Sequence, residues 1–253
     1  MLIKSLWVAL SAFSVIPVPQ YAWDDNATKY SICFLPIVGV VCGIGAAAWY
    51  TICSIFSMGA LLFSAGATVI PLLITGGIHM DGYMDTVDAL ASHQSRQRKL
   101  EIMKDSHCGA FAVIYCGIYL ISTLGILHEL YTAKAIPVIF LGFVLSRALS
   151  GLCAVNMPNA KKTGMLVSIT ANTQKRNSNI VLIFFTLVSC AGMIFANPAA
   201  GTGGVLFSLL WVWRYHSIAI KNFGGVTGDT SGYFLQVCEL LLLIGALIGD
   251  MIA

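Results

Sequence analysis

Seven apolar runs, at roughly 31–56, 60–78, 109–128, 135–156, 179–196, 199–218 and 233–252, leave this chain little choice of fold. Crossing about 30 Å of hydrocarbon takes about 20 apolar residues as a helix, and each run comes close to or exceeds that length. The backbone inside a bilayer has no water to bond to, so segments of this kind satisfy their own N–H and C=O groups as helices. Composition agrees: only 10% of the 253 residues are charged and 58% are hydrophobic, where soluble domains carry about 25% charged residues. The expected fold is all-α, a polytopic membrane helix bundle of about seven transmembrane helices. No linker is long enough to divide it, so residues 1–253 are read as a single integral-membrane domain.

The start of the chain differs from the seven runs. "SLWVALSAFSVI" after Lys4 is too short to cross, has no small-residue cleavage site and ends in "PVP". It is expected to be an interfacial or re-entrant helix kept in the mature protein, not a signal peptide. If the spans alternate, Lys4, Lys29, Arg96, Arg98, Lys99, Lys104, Lys161, Lys162, Lys175, Arg176 and Lys221 fall on one side and Lys134 alone on the other. The basic side is then cytoplasmic, with the N-terminus inside and the C-terminus outside. The net charge of +3 restates that bias and suggests no nucleic-acid partner. The eight cysteines form no CxxC pair and read as small buried hydrophobes, without disulfides or zinc.

Against that background "TGGIHMDGYMDTVD" at 75–88 stands out, because three of the 11 acidic residues sit in one octet. Asp81, Asp85 and Asp88 are spaced i, i+4, i+7 and share one helix face. Like charges on successive turns repel, so the face calls for a cation. An all-oxygen set suits Mg²⁺, which takes one or two carboxylates and completes its octahedron with water and phosphate oxygens. The bland alternative is a solvated acidic helix end. Gly76 and Gly77 mark where the second span can loosen or turn as it reaches the surface, which would put the aspartates on a short surface helix. His79 would point away from the acidic face of a continuous helix. Further on, "SRQRKLEIMKDSHCG" reads as a short amphipathic helix with Ser95 as N-cap and Leu100, Ile102 and Met103 on the membrane. It returns Lys104, Asp105 and Ser106 to the same mouth. Asp105 is either a fourth oxygen ligand or a partner for Lys104 or Arg98.

Charge also occurs within the spans. Arg147 lies about nine residues, some 13 Å, from the cytoplasmic end of its run. An unpaired arginine at that depth costs at least about 2.5–3.5 kcal/mol, so an anion is expected beside it. Either Glu239 fills that place, or Arg147 grips a substrate phosphate. Arg214 can snorkel toward the cytoplasm. Asp24 and Asp25 sit in a polar segment, and Glu129, Asp250, His128 and His216 read as polar span ends. The loop "NFGGVTGDTSG" places four glycines before the last run. It could bring backbone N–H groups and a helix N-terminus to an anion, with Asp229 as ligand or proton acceptor.

In order and spacing, "TGGIHMDGYMDTVDAL", "RKLEIMKDSHCGAF" and "GGVTGDTSG" followed by Glu239 resemble the cobalamin synthase family, adenosylcobinamide-GDP ribazoletransferase. Softer matches are "FSVIPVP", "LSR" ending at Arg147, and "NAKKTGM" at 159–165, so the resemblance runs almost end to end. Two positions depart from the family pattern. Gln236 stands where an acid is common, leaving Glu239 alone, and Lys161 stands where the family usually has arginine.

The resemblance implies a Mg²⁺-dependent transfer late in cobalamin biosynthesis. A hydroxyl of α-ribazole, or of its 5′-phosphate, attacks the cobinamide-side phosphorus of adenosylcobinamide-GDP and GMP leaves. Such a displacement needs charge neutralisation and alignment, not a covalent enzyme intermediate. On this reading Asp81, Asp85, Asp88 and Asp229 are the catalytic carboxylates. The metal ligands come from Asp81, Asp85, Asp88, Asp105 and Glu239, and the proton acceptor is Asp88 or Asp229. His79, Lys104, Arg147, Gly224, Gly225, Gly228 and Thr230 bind substrate. The expected location is the cytoplasmic (inner) membrane, with the site facing the cytoplasm and the lipid bilayer, further copies of the chain or other cobalamin-pathway enzymes as partners. Two rivals are weaker. A CDP-alcohol phosphotransferase would have Ala-Arg where "DGYMDT" has Met84 and Asp85. A transporter would show internal repeats and midplane acids.

Overall fold

The computed structural model describes residues 2–19, 24–105, 107–132 and 134–253. The described chain is helical, and β-pairing among those residues is limited to an isolated parallel bridge between Asn159 and Val226. The order is α1 (Leu2–Phe13), α2 (Asp25–Thr28), a 3-10 turn (Ser31–Phe34), α3 (Leu35–Ile55), α4 (Ala60–Thr75), α5 (Ile78–Ala91) and α6 (Arg96–Ile102). There follow α7 (Ala110–Glu129), α8 (Ile136–Asn156), α9 (Met165–Thr170), α10 (Lys175–Ala196), α11 (Pro198–Phe223) and α12 (Gly228–Ile252).

Each of the seven expected runs coincides with a helix: α3, α4, α7, α8, α10, α11 and α12. Five of them, α3 (with the short turns before it), α7, α8, α10 and α12, are long and apolar enough to cross a membrane on their own. At 26 residues α11 has the length, but Arg214, His216, Lys221 and Asn222 dilute its second half. α4 has 16 residues and passes the same test only together with α5, from which it is bent by 94°. The bend has a local cause. Gly76 and Gly77 both take left-handed backbone, φ 63° and 76°, which only glycine adopts without strain. α5 therefore leaves the axis of α4 and lies outside the five helices that qualify as spans on their own. At 12 residues α1 is too short to cross, as its sequence suggests.

Proline in the first two positions of α3, α8 and α11 starts those helices where an N–H would lack a partner anyway. Small residues then let the helices touch. A Cβ on Gly203 would overlap the carbonyl of Gly245, and the reverse also holds, so α11 and α12 meet backbone to backbone. α8 is the most enclosed helix, with Leu145, Ala148 and Leu149 in the core, while α10 turns Ile180, Phe184, Leu187 and Phe195 outward as a lipid-facing side would require. Of the eight cysteines, all are free and five are buried.

α6 differs from its sequence reading. Ser95 does cap it, accepting from the Arg98 N–H at 3.4 Å. Leu100, Ile102 and Met103, however, pack with Ala89 and Phe223 between α5 and α11. Arg96 and Lys99 complete the attachment, bonding the Ile220 carbonyl at 3.0 Å and Asn222 Oδ1 at 2.6 Å. The apolar side of α6 has protein to cover it, which satisfies it without lipid.

Candidate functional site

α5 and α12 cross through two glycines. A Cβ on Gly82 would lie 2.8 Å from the Asp229 Cα, and one on Gly232 would lie 2.7 Å from the His79 carbonyl oxygen. Any side chain at these positions would push the helices apart. Their contact brings Asp81 and Asp85 beside Asp229, which is 144 residues further along the chain than Asp85. Lys161 reaches the same place from the 157–164 connection and donates to Asp229 Oδ2 at 2.8 Å. That connection is held by exchange between Val226 N–H and the Pro158 carbonyl at 2.8 Å, and between Ala160 N–H and the Val226 carbonyl at 2.9 Å.

The charge balance here is negative. The Asp85 carboxyl is pushed up to about 6, first by burial and then by Asp81 and Asp229, with Asp88 adding a little and Lys161 opposing. Asp88 has a separate job. Its two oxygens accept the N–H groups of Gly109 at 2.7 Å and Ala112 at 2.8 Å, which caps the N-terminus of α7. The sequence places all three aspartates on one face, but one of them is spent on a neighbouring helix. Among the described residues no three His, Cys, Asp or Glu side chains stand close enough together to hold one metal ion. The donor set still fits Mg²⁺ in kind: hard oxygens only, in excess of positive charge, with substrate and water oxygens left to complete the shell.

Other site candidates fall in different places. Asp105 is bonded to its own neighbourhood, accepting from the His107 N–H at 3.0 Å and meeting His107 Nδ1 at 2.7 Å, so its partner is neither Lys104 nor Arg98. Those two hydrogen bonds hold its carboxyl below the usual range. Lys104 is exposed beyond α6, and Ser106 lies outside the described residues. Asp24 caps α2, accepting from Ala27 N–H at 2.7 Å.

Arg147 and Glu239 form a buried ion pair, exposed by only 1% and 7%. Arg147 Nη1 also donates to the Phe143 carbonyl at 3.1 Å and the Ser146 hydroxyl at 3.2 Å, and that hydroxyl donates to Glu239 Oε1 at 3.2 Å. Of the two readings of Arg147, the internal partner is the one present in the structure. Glu239 opens with Gln236 and Thr123 on a separate cavity of about 30 Å³ and is not brought to the aspartates.

The glycine-rich loop is also committed inward. The N–H groups of Gly224 and Gly225 bond the Ile220 and Ala219 carbonyls at the end of α11, and Val226 bonds Pro158. Thr227 N–H donates to Thr230 Oγ1 at 2.8 Å while Thr230 N–H donates to Thr227 Oγ1 at 3.1 Å, a reciprocal cap on α12. Thr230 is thereby buried, with Tyr215 also donating to its hydroxyl at 3.2 Å. The loop as a whole does not point its N–H groups outward. Only the first turn of α12, at Gly228 and Asp229, keeps them available in the manner of any helix start.

Next to this turn lies a cavity of about 310 Å³, lined by Asp81, Lys161, Gly228, Asp229 and Ser231 along with apolar residues. His79, which the resemblance assigns to substrate, lines it too. The bend before α5 turns its ring under Phe13, stacked at 6.1 Å. Burial, helped by the charge of Arg147, pushes His79 down to about 3, so the imidazole is neutral. Sequence reading missed Lys161 as a site residue. The signal was present, since a lysine in a polar run between spans has no apolar role to fill.

These features define a class: a polytopic helical membrane protein whose polar chemistry is gathered at one end of the bundle, around an acidic helix crossing backed by a cavity. The chain belongs to the cobalamin-5-phosphate synthase family, whose family model matches residues 5–247, and is thus a transferase of cobalamin biosynthesis. It is 41% identical over 248 residues to an adenosylcobinamide-GDP ribazoletransferase of Lachnoclostridium phytofermentans, covering 98% of this chain and 95% of that protein. Proteins of the same description from Clostridium botulinum (strain Alaska E43 / Type E3) and Geobacillus thermodenitrificans are 30% and 31% identical. The first alignment covers 97% of both chains, the second 94% of this chain and 95% of the relative. No solved structure matches the chain.

Proposed function

We propose that this protein transfers the adenosylcobinamide phosphate moiety of adenosylcobinamide-GDP to α-ribazole, or to α-ribazole 5′-phosphate, releasing GMP and forming adenosylcobalamin or its 5′-phosphate. The observation that carries this reading is the meeting of Asp85 with Asp81, Asp229 and Lys161, the last three of which line a cavity large enough for a substrate group. Asp81 and Asp85 would hold Mg²⁺, which when bound would supply charge neutralisation on the pyrophosphate oxygens. The elevated Asp85 supports this assignment, because a carboxyl raised by burial and then by Asp81 and Asp229 is one that a cation relieves.

The chain's own groups perform the remaining tasks. Lys161 and the N–H groups of Gly228 and Asp229 form a positive edge at the start of a 25-residue helix, suited to a phosphate. Asp229 is the better placed of the two candidate proton acceptors, since both oxygens of Asp88 already hold α7. It takes the hydroxyl proton when Lys161 shifts from its carboxylate to the substrate phosphate. Arg147 and Glu239 hold α8 and α12 in register behind the site. The basic residues on the connections at this end, among them Arg96, Arg98, Lys161, Lys162, Lys175 and Arg176, favour a site facing the cytoplasm from the cytoplasmic membrane.

The test is GMP release from adenosylcobinamide-GDP by the purified protein, with and without α-ribazole and Mg²⁺. Release that depends on both is expected. Release that ignores chelation would remove the metal, and no release in their presence would remove the reaction.

A further inference from the structure

The cavity beside the acidic crossing has a definite size and character. Its volume is about 310 Å³, and since one water claims about 30 Å³ of the liquid, the space equals roughly ten waters. That accommodates a nucleoside, while a corrin ring with its side chains is far too large. Phe13, Leu35, Ala154, Leu166 and Leu235 contribute apolar walls from five separate parts of the chain. Guanine carries donors and acceptors on several edges and would leave most of them unpaired against the apolar part of the wall. An aromatic base with few polar atoms would not.

A second, independent feature points to a ligand. His79 lines this cavity with only 6% of its surface exposed, and its Nε2 has no hydrogen-bond partner among the described residues. Buried polar groups in folded proteins are nearly always paired, so an unpaired imidazole nitrogen at a cavity wall is a place for a ligand atom. The charged groups on its wall, Asp81, Lys161 and Asp229, are those shared with the acidic crossing, and the other polar groups are the hydroxyls of Ser150, Thr163, Thr227 and Ser231, of which the last two are bonded within the first turn of α12.

We propose that this cavity is the acceptor subsite, taking a nucleoside whose bicyclic base is apolar, with its sugar toward Asp81, Lys161 and Asp229. The assignment rests on the transfer reaction proposed above and adds which of its two substrates occupies the enclosed space. The corrinoid and the guanine of the donor stay at the open side of the crossing, and only the pyrophosphate reaches in. His79 gives the acceptor one hydrogen bond, and the apolar walls select its base.

Calorimetric titration of the purified protein with α-ribazole, without donor or Mg²⁺, tests the subsite directly, with guanosine as the comparison probe. Saturable binding of α-ribazole is expected, with guanosine weaker by about tenfold or more, a difference of about 1.4 kcal/mol. Ala154→Trp, which fills the cavity, should weaken α-ribazole by about tenfold or more. Because Ala154 is buried and the variant can fail to fold, Met165→Trp provides a second test. Met165 lies at the cavity wall but is 40% exposed, so a larger ring can be accepted there, with a smaller loss of the same kind. Size-exclusion profiles identify the folded variants. Guanosine binding as tightly as α-ribazole, no α-ribazole binding by the parent protein, or undiminished α-ribazole affinity in either folded tryptophan variant would overturn the proposal. The reaction is judged separately by GMP release: a protein that releases GMP but binds α-ribazole regardless of these substitutions keeps the reaction and loses the subsite.

Discussion

Two clusters of charge lie within this bundle, and they solve opposite problems. Arg147 and Glu239 are almost wholly buried, matched one to one and backed by the Ser146 hydroxyl and the Phe143 carbonyl. At the α5–α12 crossing, Asp81, Asp85 and Asp229 are partly open and face Lys161 as the cation bonded among them. The first arrangement is balanced in charge, with Arg147 Nε left without a hydrogen-bond partner among the described residues, and the cavity that Glu239 lines is only about 30 Å³. The second is deficient in positive charge and adjoins a cavity ten times larger. A structural ion pair is closed by its own partners, whereas a site is left incomplete in the sense that its substrate corrects.

The largest expected contrast is in activity. Asp85→Asn removes a charge from the open cluster and should lower kcat by about 10³-fold, equivalent to about 4 kcal/mol of barrier. The variant should remain folded, and full turnover in a GMP-release assay would take Asp85 out of the chemistry. The closed cluster should behave in reverse. Arg147→Met leaves Glu239 buried without a partner and should cost about 3 kcal/mol of stability or more. Arg147→Met combined with Glu239→Leu should recover most of that loss. Thermal denaturation of the two variants in detergent makes the comparison, and equal loss in both would mean that the pair itself, not the orphaned charge, sets the cost.

Asp88 offers a smaller and sharper test. Because it caps α7 instead of standing free in the acidic group, Asp88→Ala should cost about 1 kcal/mol of stability. Any fall in activity should be partial and accompanied by a lower melting temperature. A variant with unchanged stability and no turnover would move Asp88 into the site proper.

The smallest effect is a pH dependence. Asp85 holds its proton up to about 6 in the folded protein against an ordinary value near 4. Its contribution favours the folded state below the ordinary value and is lost as pH rises through about 6. The metal-free protein should therefore melt slightly lower at pH 7 than at pH 5, judged against Asp85→Asn, in which this component is absent. Mg²⁺ should reverse the trend in the parent. Identical pH profiles for parent and variant would show that the crowding at Asp85 is relieved by other means.

Much of this was legible in the residues alone. The seven helices follow from apolar length, and the turn before α5 follows from Gly76 and Gly77, because a positive φ is a local property of glycine. The acidic character of one end was equally plain from "HMDGYMDTVD". Ser95 at the start of α6 is readable for the same reason, since capping acts over three residues. The glycines of the 224–228 loop were misleading. Their number suggested an open anion cradle, while Gly224 and Gly225 serve to end α11, and Gly225 leaves room for the Pro158 carbonyl of the 157–164 connection. The apolar side of α6 was similarly ambiguous, because lipid and protein are equally acceptable to a leucine.

By itself, then, the sequence determined where the helices run, where the chain bends and which end collects the acids, all of which depend on residues a few positions apart. Only the tertiary structure decided that Asp88 belongs to α7, that Lys161 answers Asp229, that Glu239 answers Arg147 and that His79 faces a cavity. Those are pairings between segments up to 92 residues apart for the buried ion pair and 68 for the open one. Electrostatics and close packing act through distance in space, and a glycine crossing such as Gly82 against Asp229 reveals its purpose only once both helices are in place.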